Sequence, residues 1–169
     1  MSIQLPVCKG CGLETSSYGA LIGSGEIPCD ILFLGEYPGN TENITRRAYC
    51  GKSGKILDEL ISKAGLQYFR SFKSYALLCH PSITIGGAFR EPKKEEVLKC
   101  TTQVMCITKA LNPRVVVLMG KIPEKYYVKG FGCTTIKIMS PKVILLTGGK
   151  ASPYWTKTVH TLEEVHELI

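Results

Sequence analysis

The sequence has no apolar run near the roughly 20 residues that a membrane-spanning helix needs. Its longest candidates, Val115–Met119 and Val143–Leu146, fall far short. The opening residues, Met1-Ser-Ile-Gln-Leu-Pro, lack the basic segment and apolar core of a secretory signal, so a cytoplasmic, intracellular location is expected. Internal repeats, low-complexity tracts and long linkers are also missing. With 169 residues, 44% of them hydrophobic and 21% charged, the composition is that of an ordinary globular protein rather than a disordered or fibrous one. The length fits one domain, 1–169, with enough chain to bury a core.

Positive charge is nearly absent from the first quarter. Residues 1–45 carry Lys9 alone against Glu14, Glu26, Asp30, Glu36 and Glu42, a net of −4, while residues 46–169 carry a net of +11. An excess of that size favours a polyanionic partner, most simply nucleic acid. A Lys-rich solubilising surface would give the same count.

Cysteine is plentiful. Eight cysteines in a chain expected to stay in a reducing compartment point away from disulfides and towards thiolate ligation. Cys8-Lys-Gly-Cys11 supplies two ligands at metal spacing outside the strand-to-helix setting of a redox dithiol. Cys29, Cys50, Cys79, Cys100, Cys106 and Cys133 are the candidates to complete a site, most of them expected as buried apolar residues.

After an irregular, glycine-rich segment at residues 1–28, strands and helices alternate. Cys29–Leu34 reads as a buried strand ended by Gly35 and Pro38. Ile56, Leu57, Leu60, Ile61 and Ala64 recur at helical spacing between the cap Ser53 and the stop Gly65. Phe72–Cys79 is the next expected strand, then a helix at Pro92–Leu111 and a strand at Val115–Met119. A short helix at Pro123–Lys129, a strand at Val143–Leu146 and a helix at His160–Ile169 follow. Such alternation predicts an α/β fold with a parallel sheet covered on both faces. Ligands bind at the carboxyl ends of such strands. That rule selects the loops Gly35–Gly39, Cys79–Phe89, Gly120–Pro123 and Thr147–Pro153.

Gly51-Lys52-Ser53 imitates the end of a triphosphate-binding loop, but Arg46 stands where its first glycine belongs, which excludes a nucleotide triphosphatase. The backbone amides at this helix start still suit a single phosphate, such as one of a DNA strand.

The motifs, taken together and in order, resemble the iron–sulfur (family 4 type) uracil-DNA glycosylases. Cys8 and Cys11 match that family's first pair, and Gly35-Glu36-Tyr37-Pro38-Gly39 its G-E-x-P-G loop. Glu42-Asn43 falls at its acidic pair, and Arg47-Ala48-Tyr49-Cys50-Gly51 replaces R-P-F-V-G. Cys79, Arg90, Glu95-Glu96, Cys100 and the strand ending at Gly120 follow in register. The match is close over residues 7–120 and loose beyond them.

The resemblance implies a three-layer α/β/α fold with a central four-stranded parallel sheet. It implies a structural [4Fe–4S] cluster on Cys8, Cys11, Cys79 and Cys100, with Cys106 the runner-up for the fourth ligand and zinc the alternative metal. It implies a base flipped into a pocket built from Gly35, Tyr37, Pro38, Gly39, Tyr49 and Tyr75, with Tyr49 as the stacking ring. Glu36 would stabilise the cationic sugar and orient water. Glu36 has a bland counterpart as a loop-closing acid, and Tyr49 as core packing. DNA is the expected partner of a monomer, along Lys52, Ser53, Lys121, Gly149, Lys150, Tyr154 and Trp155. An aromatic wedge at Pro153-Tyr154-Trp155 and an anchor for the last helix are both open readings of that segment.

Three positions depart from the family. Its uracil-reading Asn is Tyr75 here, a single hydroxyl on a bulky ring. Its last loop, T-x-H-P-A, is expected at Thr147–Ala151, which puts Gly149 at the His and leaves Lys150 as the nearby cation. Tyr37 replaces a small residue. His80-Pro81-Ser82 repeats the missing string at another place and reads as coincidence or as a DNA-contacting loop; His160 and His166 read as surface residues. Two functions follow. One is a monofunctional DNA glycosylase acting on uracil or a related, modified base in base excision repair. The alternative is a catalytically weakened DNA-binding protein on the same fold, a replication-accessory or inhibitory one with replication or repair proteins as partners.

Overall fold

Two uninterrupted apolar runs, Ile31–Leu34 and Val115–Met119, can be satisfied only with both faces buried, and they form the middle of the sheet. The computed structural model describes Cys8, residues 10–127 and residues 131–169. In chain order the elements are α1 (Leu13–Ser16), β1 (Ser24–Gly25), β2 (Ile31–Gly35), α2 (Asn40–Thr45), α3 (Lys52–Lys63) and β3 (Ser71–Tyr75). Then come α4 (Lys94–Leu111), β4 (Val115–Met119), α5 (Lys121–Tyr127), β5 (Thr134–Ile138), α6 (Pro141–Leu146) and α7 (Trp155–Glu163). Short 3₁₀ turns lie at Leu66–Tyr68, Gly149–Ala151 and Glu164–Glu167.

The sheet order is β1-β3-β2-β4-β5. The inner ladder is parallel, with Ile31 opposite both Ser71 and Val115 and with Gly35 opposite Tyr75. The expected four parallel strands are present, and the two-residue antiparallel β1 adds a fifth at the edge. There the backbones press together: a Cβ on Gly25 would lie 2.2 Å from Ser71 O. Because side chains alternate, Leu32, Leu34, Val116 and Leu118 face Val104, Ile107 and Leu111 of α4 and Tyr127 of α5. Ile31, Phe33, Val117 and Met119 face Ile56, Leu57 and Leu60 of α3, Ile144 of α6 and Leu162 of α7. Each such fully buried side chain contributes about 1.5–3 kcal/mol.

The strand expected at Val143–Leu146 is a helix, α6, and the fourth parallel strand is Thr134–Ile138. Pro141 sits in the first turn of α6, where its fixed φ suits a helix and its missing N–H removes no bond. A four-residue apolar run carries no period that separates helix from strand. The remaining differences are at boundaries. β3 leaves regular pairing after Tyr75, although Ala76 and Leu77 still donate to Gly35 O and Glu36 O. α4 starts at Lys94, where Glu96 accepts from the Lys93 N–H in a capping box. The expected helix Pro123–Lys129 begins at Lys121, and its residues 128–129 lie outside the described residues. The closing helix starts at Trp155, not His160. No helix among the described residues is long and apolar enough to cross a membrane.

Candidate active site

The carboxyl ends of β2, β3, β4 and β5 surround a cavity of about 580 Å³. Gly35, Glu36, Tyr37 and Gly39 line it from the loop after β2, Tyr75 from the end of β3, and His80 and Phe89 from the loop beyond. Met119 closes the end of β4. Pro38 and the expected loop Gly120–Pro123 are not among the lining residues, and the fourth side also differs from expectation. Thr147–Pro153 contributes nothing to the lining; the segment after β5 does, through Ser140, Pro141, Lys142, Leu145 and Leu146. Once Val143–Leu146 is a helix, its end is no longer a sheet edge.

Glu36 is half-buried, with Oε1 3.5 Å from the Ile122 N–H at the start of α5. A Cβ on Gly120 would lie 3.0 Å from the Glu36 carboxyl carbon, so the absent side chain makes room for it. Glu42, buried, accepts the Gly51 N–H at 2.7 Å and ties α2 to the start of α3. Lys52 and Ser53 line the cavity in the first turn of α3, whose Gly51 cap offers no side chain to its amides. Lys121 is exposed at the start of α5.

Two aromatic pairs stand in the cavity. The Tyr49 and Tyr75 rings stack at 4.7 Å with 3° between their planes. Tyr49 donates its hydroxyl to Ser74 O at 2.8 Å and its N–H to the Tyr75 hydroxyl at 2.9 Å. Burial pushes both phenols well above the ordinary range. Tyr37 stacks on Phe89 at 5.5 Å, and the Lys142 ammonium sits 5.7 Å and 5.2 Å from the two ring centroids. Burial, then the charges of Glu91 and Glu36, push Tyr37 up to about 12. His80 is buried and donates from Nδ1 to Pro38 O at 2.8 Å, fixing the Gly35–Gly39 loop from below.

Other sequence candidates lie elsewhere. Lys150 pairs with Glu59 of α3 at 3.2 Å on the exposed surface and does not line the cavity. Gly149 lies over Ile56 in the same turn. Trp155 packs, half-buried, against the core between the sheet and α7, which is the anchoring reading of that residue; Tyr154 stays exposed beside it. Sequence reasoning missed Lys142, Ser140, His80 and Phe89 as lining residues. The last two lie in a loop that the strand-end rule had selected; the first two were hidden by the helix read as a strand.

All eight cysteines are free thiols. Burial pushes Cys79 up to about 11 and Cys100 up to about 12, and each also responds to Cys8 and Cys11. Cys79 and Cys100 lie in one core cluster, and Cys11 packs against it. Lys99 of α4 donates to Gly10 O, and the Leu78 N–H lies 3.4 Å from Cys100 Sγ. Arg90 forks onto Glu96, which steadies the start of α4. Cys106 lies apart, in a second cleft with Cys133. Among the described residues, no group of three or more His, Cys, Asp or Glu could hold a single metal ion.

With this geometry in place, comparison with known proteins is specific. A family model described as the uracil DNA glycosylase superfamily matches residues 22–166. The chain is 26% identical over 153 residues to the type-4 uracil-DNA glycosylase of Thermotoga maritima, spanning 90% of this chain and 77% of that protein. It is 29% identical over 142 residues to the type-4 uracil-DNA glycosylase of Archaeoglobus fulgidus, spanning 83% and 69%. For the corresponding Saccharolobus solfataricus protein the figures are 28% over 123 residues, 72% and 55%.

Proposed function

The chain belongs to the uracil DNA glycosylase superfamily, and from that membership we propose that it hydrolyses the N-glycosidic bond of a flipped uracil or related base in DNA, as in base excision repair. The observation that carries this is one cavity at the ends of four parallel strands holding a carboxylate, Glu36, and a cation, Lys142. Bond breaking leaves positive charge on the sugar and negative charge on the departing base. Glu36 stabilises the sugar and orients the attacking water. Lys142 faces the base and takes the role that the sequence had given to Lys150.

On this reading the family's T-x-H-P-A string corresponds to Ile138-Met139-Ser140-Pro141-Lys142, at the end of β5. Ser140 then replaces the His, two residues from the compensating lysine. The amides of Lys52 and Ser53 receive a phosphate. Leu146, 73% exposed at the cavity rim, is the side chain placed to enter the stack in place of the flipped base.

Cys8, Cys11, Cys79 and Cys100 are free, neighbouring and soft, which suits a [4Fe–4S] cluster. Four thiolates are also the ligand set of a structural zinc ion, the alternative metal. When bound, the group supplies a structural cross-link between the Cys8–Cys11 segment, the loop after β3 and α4. Loading it displaces protons from these thiols, of which Cys79 and Cys100 are buried.

The test is release of base from labelled oligonucleotides carrying uracil, hypoxanthine, xanthine or a modified pyrimidine, read as strand breaks after alkali. Breaks on one substrate that vanish in Glu36→Gln are expected. A second reading has an observation of its own: Ser140 at the His position, with the Tyr49 ring already covered. Salt-sensitive DNA binding without base release on any substrate would establish that reading, a DNA-binding accessory or inhibitory protein, in place of the first.

A further inference from the structure

We infer that Tyr75 is a built-in occupant of the base slot, its ring covering the face of Tyr49 on which a flipped pyrimidine would stack. The inference rests on the glycosylase reading of this cavity and names the residue that sets its specificity. A centroid separation of 4.7 Å at 3° is the offset stack that a nucleobase makes on an aromatic ring. A phenol ring is also close in size to a pyrimidine ring.

The covering ring is held from several sides. Tyr75 ends β3 in register with Gly35, and only 3% of it is exposed. Its hydroxyl accepts the Tyr49 N–H, and the Tyr49 hydroxyl is anchored on Ser74 O. Gly35 makes the arrangement possible, because a Cβ there would lie 2.3 Å from the Tyr49 hydroxyl oxygen. Tyr49 itself has a φ of +53°, so its backbone is fixed in a conformation that few non-glycine residues adopt. The second aromatic surface, Tyr37 on Phe89, lies under the Lys142 ammonium. Uracil therefore stacks on Tyr49 only by expelling the Tyr75 ring, and wild-type affinity for a flipped uracil is low for that reason.

The test measures binding to single-stranded oligonucleotides carrying one uncleavable 2′-fluoroarabino-uridine, against the same strands with 2′-fluoroarabino-thymidine. Wild type and Tyr75→Phe are expected to show less than about threefold preference for the uridine, and Tyr75→Ala and Tyr75→Asn about tenfold or more. A tenfold preference already present in wild type overturns the inference. So does the absence of any gain in variants that keep the wild-type circular dichroism.

Base release from ordinary uridine strands is followed in parallel. Gained preference without release by any chain leaves the slot inference standing and removes the glycosylase reading. Release by wild type at a rate that Tyr75→Ala does not raise does the reverse. If the Ala and Asn variants do not fold, the wild-type chain labelled with 3-fluorotyrosine answers the question, with Tyr49→Phe and Tyr75→Phe assigning the signals. At saturation with wild-type-affinity concentrations of the uridine strand, a shift of both signals marks an expelled ring and supports the inference. Binding of that strand in preference to the thymidine strand with both signals unmoved overturns it.

Discussion

Replacing Gly54 by alanine sets helix propensity against packing at the point where α3 supports the cavity. Gly54 is the third residue of α3 and is buried. A Cβ there would lie 1.8 Å from Tyr49 O, 2.5 Å from its carbonyl carbon and 2.9 Å from its Cα. Propensity alone favours alanine by about 1 kcal/mol. Overpacking costs about 1–3 kcal/mol, and contact with backbone rather than with the end of a flexible side chain places Gly54→Ala at the upper end. The backbone in question is that of Tyr49, held by its stack and two hydrogen bonds. The net expectation is a loss of about 2 kcal/mol, lowering Tm by about 4–8 °C in a domain of this size. Thermal and urea unfolding followed by circular dichroism measure it. A Tm equal to or above that of wild type would refute the packing argument.

Other perturbations separate neighbouring roles. Lys142→Ala should slow single-turnover base release by about 100-fold, while Lys150→Ala should stay within about twofold because its exposed partner is Glu59; equal losses would contradict the assignment. Cys100→Ala, purified without oxygen, should lose bound iron and the brown colour together, as an iron assay and a visible spectrum would show; full iron content would move the fourth ligand elsewhere. Burial opposes ionisation of Glu96, but Arg90 and the Lys93 N–H hold its carboxyl below the ordinary value. Its stabilisation is therefore fully present above the unfolded-state pKa near 4.3 and lost as pH falls through the lower native value. Urea unfolding between pH 3 and 7 should show that slope flattened in Glu96→Gln.

The sequence was most legible where burial was complete. Ile31–Leu34 and Val115–Met119 are continuous apolar runs, and α3 repeats its apolar residues at helical spacing, so each announces both type and position. The Gly35–Gly39 loop followed directly, and with it Glu36. What failed was a strand with little apolar signal. β5 reads Thr-Thr-Ile-Lys-Ile and buries only its last residue fully. The helix after it presents four apolar residues in a row, so that run drew the strand assignment in place of β5. Tyr49 on Tyr75 was legible residue by residue, but their mutual stacking depends on residues 26 positions apart and has no local signature.

The edge strand β1 has a consequence for solubility. β1 and the residue after it cover the outer side of β3, where the Glu26 N–H reaches Ser71 O at 2.9 Å, and β3 is the strand that ends in Tyr75. Two residues, Ser24 and Gly25, with Gly23 before them, cover that edge by an approach too close for any Cβ. A bulkier side chain at either glycine would lift the strand away and leave an open, half-apolar edge able to pair with its counterpart in another molecule. Substitution of either glycine by a bulky residue is therefore expected to raise self-association, although neither lines the cavity.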